Sequence, residues 1–269
     1  RGQNNYFPEL EKLAAGLHQA IGHRGGPLSQ RLSADLAHHL GFSLHYVSDL
    51  PYSTRSVTDA KNMRIYLPRN TQGDPRSVLL QALASFALGN KEVKSYEDFL
   101  QQRVEINYLA GALLIDQTSA VKFMKEAKAN RELAVEDLRD TYAVGYETAA
   151  HRFTNLATEH LGIPVHFLKA HSTGALSKAY ENDGVLFPTD ALGAVEGQTV
   201  CKRWSARQVF GHEDRLTPFH QYTDKPNGTY WCTSRIESSP SGDFSISVGT
   251  PFEHVKWFRG RETKRRGFS

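Results

Sequence analysis

Apolar residues recur at helical spacing through the first two thirds of the chain. Leu10, Leu13, Ala14, Leu17 and Ile21 share one face, and Gly25-Gly26-Pro27 stops the helix they predict. Leu32, Leu36, Ala37 and Leu40 mark a second helix, closed by Gly41. Asp74 and Pro75 suit the N-cap and first turn of a third, with Val78, Leu79, Leu83 and Phe86 as its buried stripe. A fourth helix is expected from Asp98 to Ile115 and a fifth from Gly145 to Leu161. After Gly162 the period shortens to two. Pro164-Val165-His166-Phe167-Leu168, Thr229-Tyr230-Trp231-Cys232-Thr233 and Phe244-Ser245-Ile246-Ser247-Val248 read as strands, and Ser239-Pro240-Ser241-Gly242 as a loop. The pattern predicts an α+β protein with a boundary near Leu161: a mostly helical domain over 1–161, then a smaller mixed α/β domain over 162–269 with an antiparallel sheet.

Leu32 to Ser43 superficially matches a DNA-reading helix-turn-helix, but a recognition helix must continue after the glycine turn. Here Phe42, Leu44 and Tyr46 alternate with Ser43 and His45, which is the period of a strand. Pro51 then ends the segment early, and Arg64-Ile65-Tyr66-Leu67 supplies a second strand. The helix-turn-helix is therefore declined.

Composition narrows the class. A 269-residue chain with 39% hydrophobic and 23% charged residues is a globular protein with room for two cores. No apolar run approaches the roughly 20 residues a bilayer span needs, so no membrane partner is expected. Arg1-Gly2-Gln3-Asn4-Asn5 has neither a signal core nor an initiating Met, and reads as the cut end of a longer protein. Cys201 and Cys232 are too few for a secreted disulfide framework, and free thiols suit a reducing cytoplasm. Of 32 basic and 29 acidic residues, six and one fall in 256–269. That leaves 26 basic against 28 acidic before the tail, a neutral body rather than a nucleic-acid-binding surface. The basic tail, Lys256 to Arg266, is expected to be a solvated tether.

The third helix carries Gln81-Ala82-Leu83-Ala84-Ser85 where a gluzincin peptidase holds two histidines one turn apart and a glutamate base. About 20 residues on comes Glu105-Ile106-Asn107-Tyr108-Leu109-Ala110-Gly111-Ala112-Leu113-Leu114. The arrangement resembles the ImmA/IrrE-type metallopeptidase domain, in which Glu105 matches the third zinc ligand. Both histidines and the base are replaced, so one carboxylate remains and neither zinc nor catalysis is expected. His38 and His39 point apart on a helix, and His166 and His171 each read as a lone histidine.

Later segments sharpen the resemblance, toward a regulator family that carries such a peptidase-like domain. Gly145-Tyr146-Glu147-Thr148-Ala149-Ala150-His151-Arg152-Phe153-Thr154-Asn155-Leu156 is similar to the His-Arg-(Leu/Phe)-Thr-x-Leu helix of the short-chain fatty acyl transcriptional regulators of the PrpR/RamB type. Gly162 to Phe167, Gly174 to Lys178, Cys201 to Trp204 and Gly228 to Cys232 are similar to segments downstream of that helix in the same family. The resemblance implies a cytoplasmic, homo-oligomeric bacterial regulator of propionate or acetate metabolism, with a DNA-binding helix-turn-helix domain ahead of this region. It implies sensing of coenzyme A or a short-chain acyl-CoA in a pocket between the helical domain and the later strands.

Within that resemblance Arg152, Lys169, Lys178 and Arg203 are the candidate phosphate-binding cations. Tyr108, Phe153, Trp204 and Tyr230 are the candidate apolar walls. Family members end in a cysteine-rich segment holding an iron–sulfur cluster, which this chain stops short of. Two cysteines cannot supply the four thiolates of such a cluster, so none is expected here, and Cys201 and Cys232 are candidate ligands only in the intact protein. Two rival readings remain, a protein-interaction scaffold without a small ligand and a hydrolase with an unrecognised site. An elongated pocket would speak against the first, and the missing histidines speak against the second.

Overall fold

The computed structural model describes residues 3–51, 54–71, 73–89 and 91–269. They form two compact units, one of Phe7–Ala120 with Arg139–Gly145, the other of Val121–Leu138 and Tyr146–Ser269 with the chain before Phe7. The architecture is α+β, with one sheet in each unit.

The first unit is helical around a small sheet. Helices α1 (Pro8–Ala20), α2 (Gln30–His39), α3 (Pro75–Ala87) and α4 (Tyr96–Leu114) follow the predicted stripes. Ser29, Asp74 and Ser95 cap three of them by accepting from the backbone N–H of Leu32, Arg76 and Asp98. Strands β1 (Ser43–Val47), β2 (Val57–Asp59) and β3 (Arg64–Pro68) pair in the order β1-β3-β2, with β1 parallel to β3. The segment after Gly41 is thus a strand and no recognition helix. Tyr108 on α4 donates to Glu11 of α1 at 2.8 Å, and His18 meets the Leu113 carbonyl at 2.8 Å.

Helices α5 (Gln117–Ala129) and α6 (Val135–Tyr142) connect to α7 (Tyr146–Leu161). The second unit is a six-stranded sheet of β4 (His166–His171), β5 (Leu176–Glu181), β6 (Phe219–Lys225), β7 (Gly228–Ser239), β8 (Gly242–Pro251) and β9 (Arg266–Phe268). Its order is β5-β4-β8-β7-β6-β9, antiparallel except where β9 joins β6. Helix α7 covers one face, and the one-turn α8 (Ser205–Gln208) the other.

Two expectations change. Helix α7 belongs with the strands, so the division falls ahead of it rather than at Leu161. The cause is its buried face of Ala149, Ala150, Phe153, Leu156 and Ala157, which packs on β4 and β8. The basic tail is also no tether. Arg259 bonds Glu132 at 2.7 Å and both oxygens of Asp137, Arg261 reaches the carbonyls of Arg131 and Phe258, and Arg266 pairs with Asp224 beside β9. Arg259 and Arg261 hold the tail to residues 131–137, and the backbone of β9 extends the sheet beside β6.

Candidate functional site

Three neighbouring strands place a histidine and a cysteine on either side of a glycine. His166 of β4 stands opposite Gly249 of β8, and Gly249 stands opposite Cys232 of β7. Cross-strand partners share a face, so the imidazole and thiol lean toward each other over the bare glycine. His166 Nε2 is 3.3 Å from Cys232 Sγ. A Cβ on Gly249 would lie 2.2 Å from the ring and 2.8 Å from the sulfur, so only glycine leaves room for the pair.

Behind the ring, His166 Nδ1 meets Asp183 Oδ2 at 2.6 Å, and both side chains are fully buried. Asp183 lies just past β5 in a turn held by Asn182, which accepts from Val165 N–H at 2.8 Å. Burial alone would depress the imidazole, but the Asp183 carboxylate and the Cys232 sulfur outweigh it and raise its pKa to about 10. At neutral pH the ring is an imidazolium that donates to Asp183 on one side and to Cys232 on the other.

Cys232 and His166 border a cavity of about 20 Å³, whose walls include Leu168, Trp204, Thr223, Lys225, Tyr230 and Ser247. That volume admits one water-sized molecule. Lys225 donates to the carbonyls of Val185 and Leu186, and its ammonium lies 4.7 Å over the Trp204 ring. Burial lowers its pKa. Along β6, the same strand face runs on through Thr223 and Gln221 to Phe219. Gln221 and Phe219 line an open groove of about 370 Å³ with His212, Arg265 and Arg266, where Arg265 lies 4.6 Å over the Phe219 ring.

The predicted ligand residues do not converge. Trp204 and Tyr230 meet at the cavity on the α8 face. Lys169 alternates with Leu168 and so points to the opposite, α7 face, where it and Lys178 bond Glu147 at 3.1 and 2.9 Å. His151 joins this cluster at 3.5 Å, and its ring rests on Phe167. Its partners hold the Glu147 carboxyl well below the usual range despite burial. Arg152 and Phe153 are buried on α7, each 1% exposed, Arg203 is exposed in the loop before α8, and Tyr108 belongs to the helical unit. The sheet stands between the two lysines and the two aromatics.

In the helical unit, Gln81 of α3 donates to Asn107 of α4 at 3.3 Å and accepts from Arg55. Glu105 accepts from Gln101 one turn earlier. Amide pairing ties α3 to α4 there, and among the described residues no cluster of three His, Cys, Asp or Glu side chains that could hold a metal forms. An iron–sulfur cluster does not fit around Cys232 either. The chain has two cysteines, and the space beside the sulfur is too small for a cube of iron and sulfide.

The sequence pattern alone does not reveal the roles of His166, Asp183, Lys225 and Gly249. His166 looks solitary there because its partners lie 17 and 66 residues away, joined only by strand register. Asn182-Asp183-Gly184 carries a turn signal, the one local hint available.

No protein-family model matches the chain. Over 158 residues, 55% of the chain, it is 26% identical to the HTH-type transcriptional regulator RamB of Mycobacterium tuberculosis, in strains CDC 1551 / Oshkosh and ATCC 25618 / H37Rv alike. The match spans 31% of that protein. The fold is similar to a solved Mycobacterium tuberculosis transcriptional regulator, with a TM-score of 0.75 at 18% identity, covering 98% of this chain and 85% of that one. No helix among the described residues is long and apolar enough to cross a membrane.

Proposed function

We propose that this chain is the effector-sensing region of a transcription regulator and that its effector is coenzyme A or a short-chain acyl-CoA ester. The observation that carries the reading is the β6 face, which runs from an open groove bearing Arg265 and Arg266 to a cavity walled by Trp204, Tyr230 and Lys225. An elongated anionic ligand whose phosphates lie in the groove, with its acyl end directed along β6 toward the water-sized cavity rather than inside it, matches that order. The likeness to RamB supports the regulatory role, and the fold shared with a solved transcriptional regulator agrees with it. On this reading DNA is bound by a helix-turn-helix domain outside this chain, the genes controlled serve propionate or acetate metabolism in the cytoplasm, and this region catalyses nothing. The tied α3–α4 pair is then the remnant of an ImmA/IrrE-type zinc site. Tyr96, Phe99, Leu100 and Val104 form an exposed apolar stripe on α4 that supports homo-oligomerisation.

Isothermal titration of the purified chain with coenzyme A, acetyl-CoA and propionyl-CoA tests the reading. Saturable binding is expected, with the acyl esters differing in affinity. No saturable heat with any of the three would contradict it.

A further inference from the structure

We infer, independently of the effector reading, that Cys232 is a peroxide-reactive thiol, because its sulfur faces the His166–Asp183 pair in a cavity sized for hydrogen peroxide. A thiol becomes a nucleophile when a cation beside it favours the thiolate, and His166 Nε2 stands 3.3 Å from the sulfur. Asp183, 2.6 Å behind at Nδ1, fixes the ring so that Nε2 points at sulfur, which makes it a positioning residue. Gly249 leaves room for the ring and the sulfur to meet.

The cavity selects the reactant. At about 20 Å³ it admits a molecule near the size of water. Hydrogen peroxide is close to that size, whereas an alkyl hydroperoxide is not. Ser205, Thr223, Ser247 and Lys225 also line the cavity, though their polar atoms are engaged with Ser234, Gln221 and the carbonyls of Val185 and Leu186, so its open surface is mostly apolar.

The step balances. The thiolate attacks one peroxide oxygen, a sulfur–oxygen bond forms as the oxygen–oxygen bond breaks, and the sulfur loses two electrons to the peroxide. The departing hydroxide takes the Nε2 proton of His166 and leaves as water. The products are a sulfenic acid at Cys232 and a neutral imidazole, with Lys225 steadying the hydroxide as it forms. Cys201, the half-buried second thiol of the chain, serves as the internal reference.

The test is a set of timed hydrogen peroxide pulses on the whole folded chain at neutral pH, each stopped with catalase and then unfolded in urea containing dimedone, so that the sulfenic acid formed at each cysteine is labelled and counted by peptide mass spectrometry. Cys232 should be trapped at least tenfold faster than Cys201, although Cys201 is the more exposed. His166→Gln should slow trapping at Cys232 at least tenfold and leave Cys201 unchanged, and tert-butyl hydroperoxide should spare Cys232. Equal rates at the two cysteines in the unaltered chain, or faster trapping at Cys201, would overturn the inference even if the variant failed to fold. An unchanged Cys232 rate in a folded His166→Gln variant would do the same.

Discussion

His166 Nε2 lies 3.3 Å from Cys232 Sγ across a glycine, although 66 residues separate the two in the chain. The pair depends on register alone. Strands β4, β8 and β7 align His166, Gly249 and Cys232 in one row, and the central position has no side chain. Asp183 completes the row from behind, at a turn tied to β4 through Asn182 and Val165.

Gly249→Ala should therefore be costly. Its Cβ would fall inside contact distance of both neighbours, and neither can swing away in a packed sheet. Overpacking of this kind costs about 1–3 kcal/mol. Urea unfolding of the variant should show that loss, together with altered reactivity of Cys232. A variant as stable as the parent would mean that the row is looser than described.

The titration of His166 should leave a mark on stability. Its folded pKa, about 10, lies above the ordinary 6.5, because Asp183 and Cys232 overcome the opposing effect of burial. A raised pKa stabilises the fold fully below pH 6.5, and that contribution is lost as pH rises toward 10. Urea midpoints measured from about pH 6 to about pH 10 should fall more steeply in the parent than in His166→Gln. Parallel curves would show that the ring does not titrate this way.

Burial decides how much of this fold and site is legible in the sequence. Helices α1 to α3 announce themselves through Leu17, Leu36, Val78 and Leu83, whose spacing leaves one stripe apolar. Strand β6 stays hidden because the buried side of its alternation holds Gln221 and Thr223, which hydropathy scores as surface. Helix α5 is hidden for a related reason. Its buried positions are Ala120 and Met124, set among lysines and small residues. Trp204 and Tyr230 are legible and meet at one cavity, yet Lys169 and Lys178 belong to the other face. Strand parity decides that, and parity shows only once the strand's bounds and its covering helices are known.

The tail offers a direct check of its structural role. Arg259 holds Glu132 and Asp137 while the adjoining Phe258 bridges to Leu133. Because the guanidinium is 41% exposed, the network is worth little more than a good surface pair. Arg259→Ala should cost about 1 kcal/mol, read as a lowered urea midpoint. A double-mutant cycle with Asp137→Ala should return a favourable coupling, and zero coupling would return the tail to solvent.

The proposed effector site is on the α8 face of the sheet, so the decisive measurement compares the two faces. Propionyl-CoA affinity should be determined by calorimetry for Arg265→Glu, Trp204→Ala and Lys178→Glu beside the parent chain. Losing a charge-assisted contact costs about 1.5–3 kcal/mol, so Arg265→Glu should weaken binding at least tenfold. Trp204→Ala should weaken it too, while Lys178→Glu, on the α7 face with Glu147, should leave it unchanged. Weakening by Lys178→Glu with no effect of the other two would contradict the account.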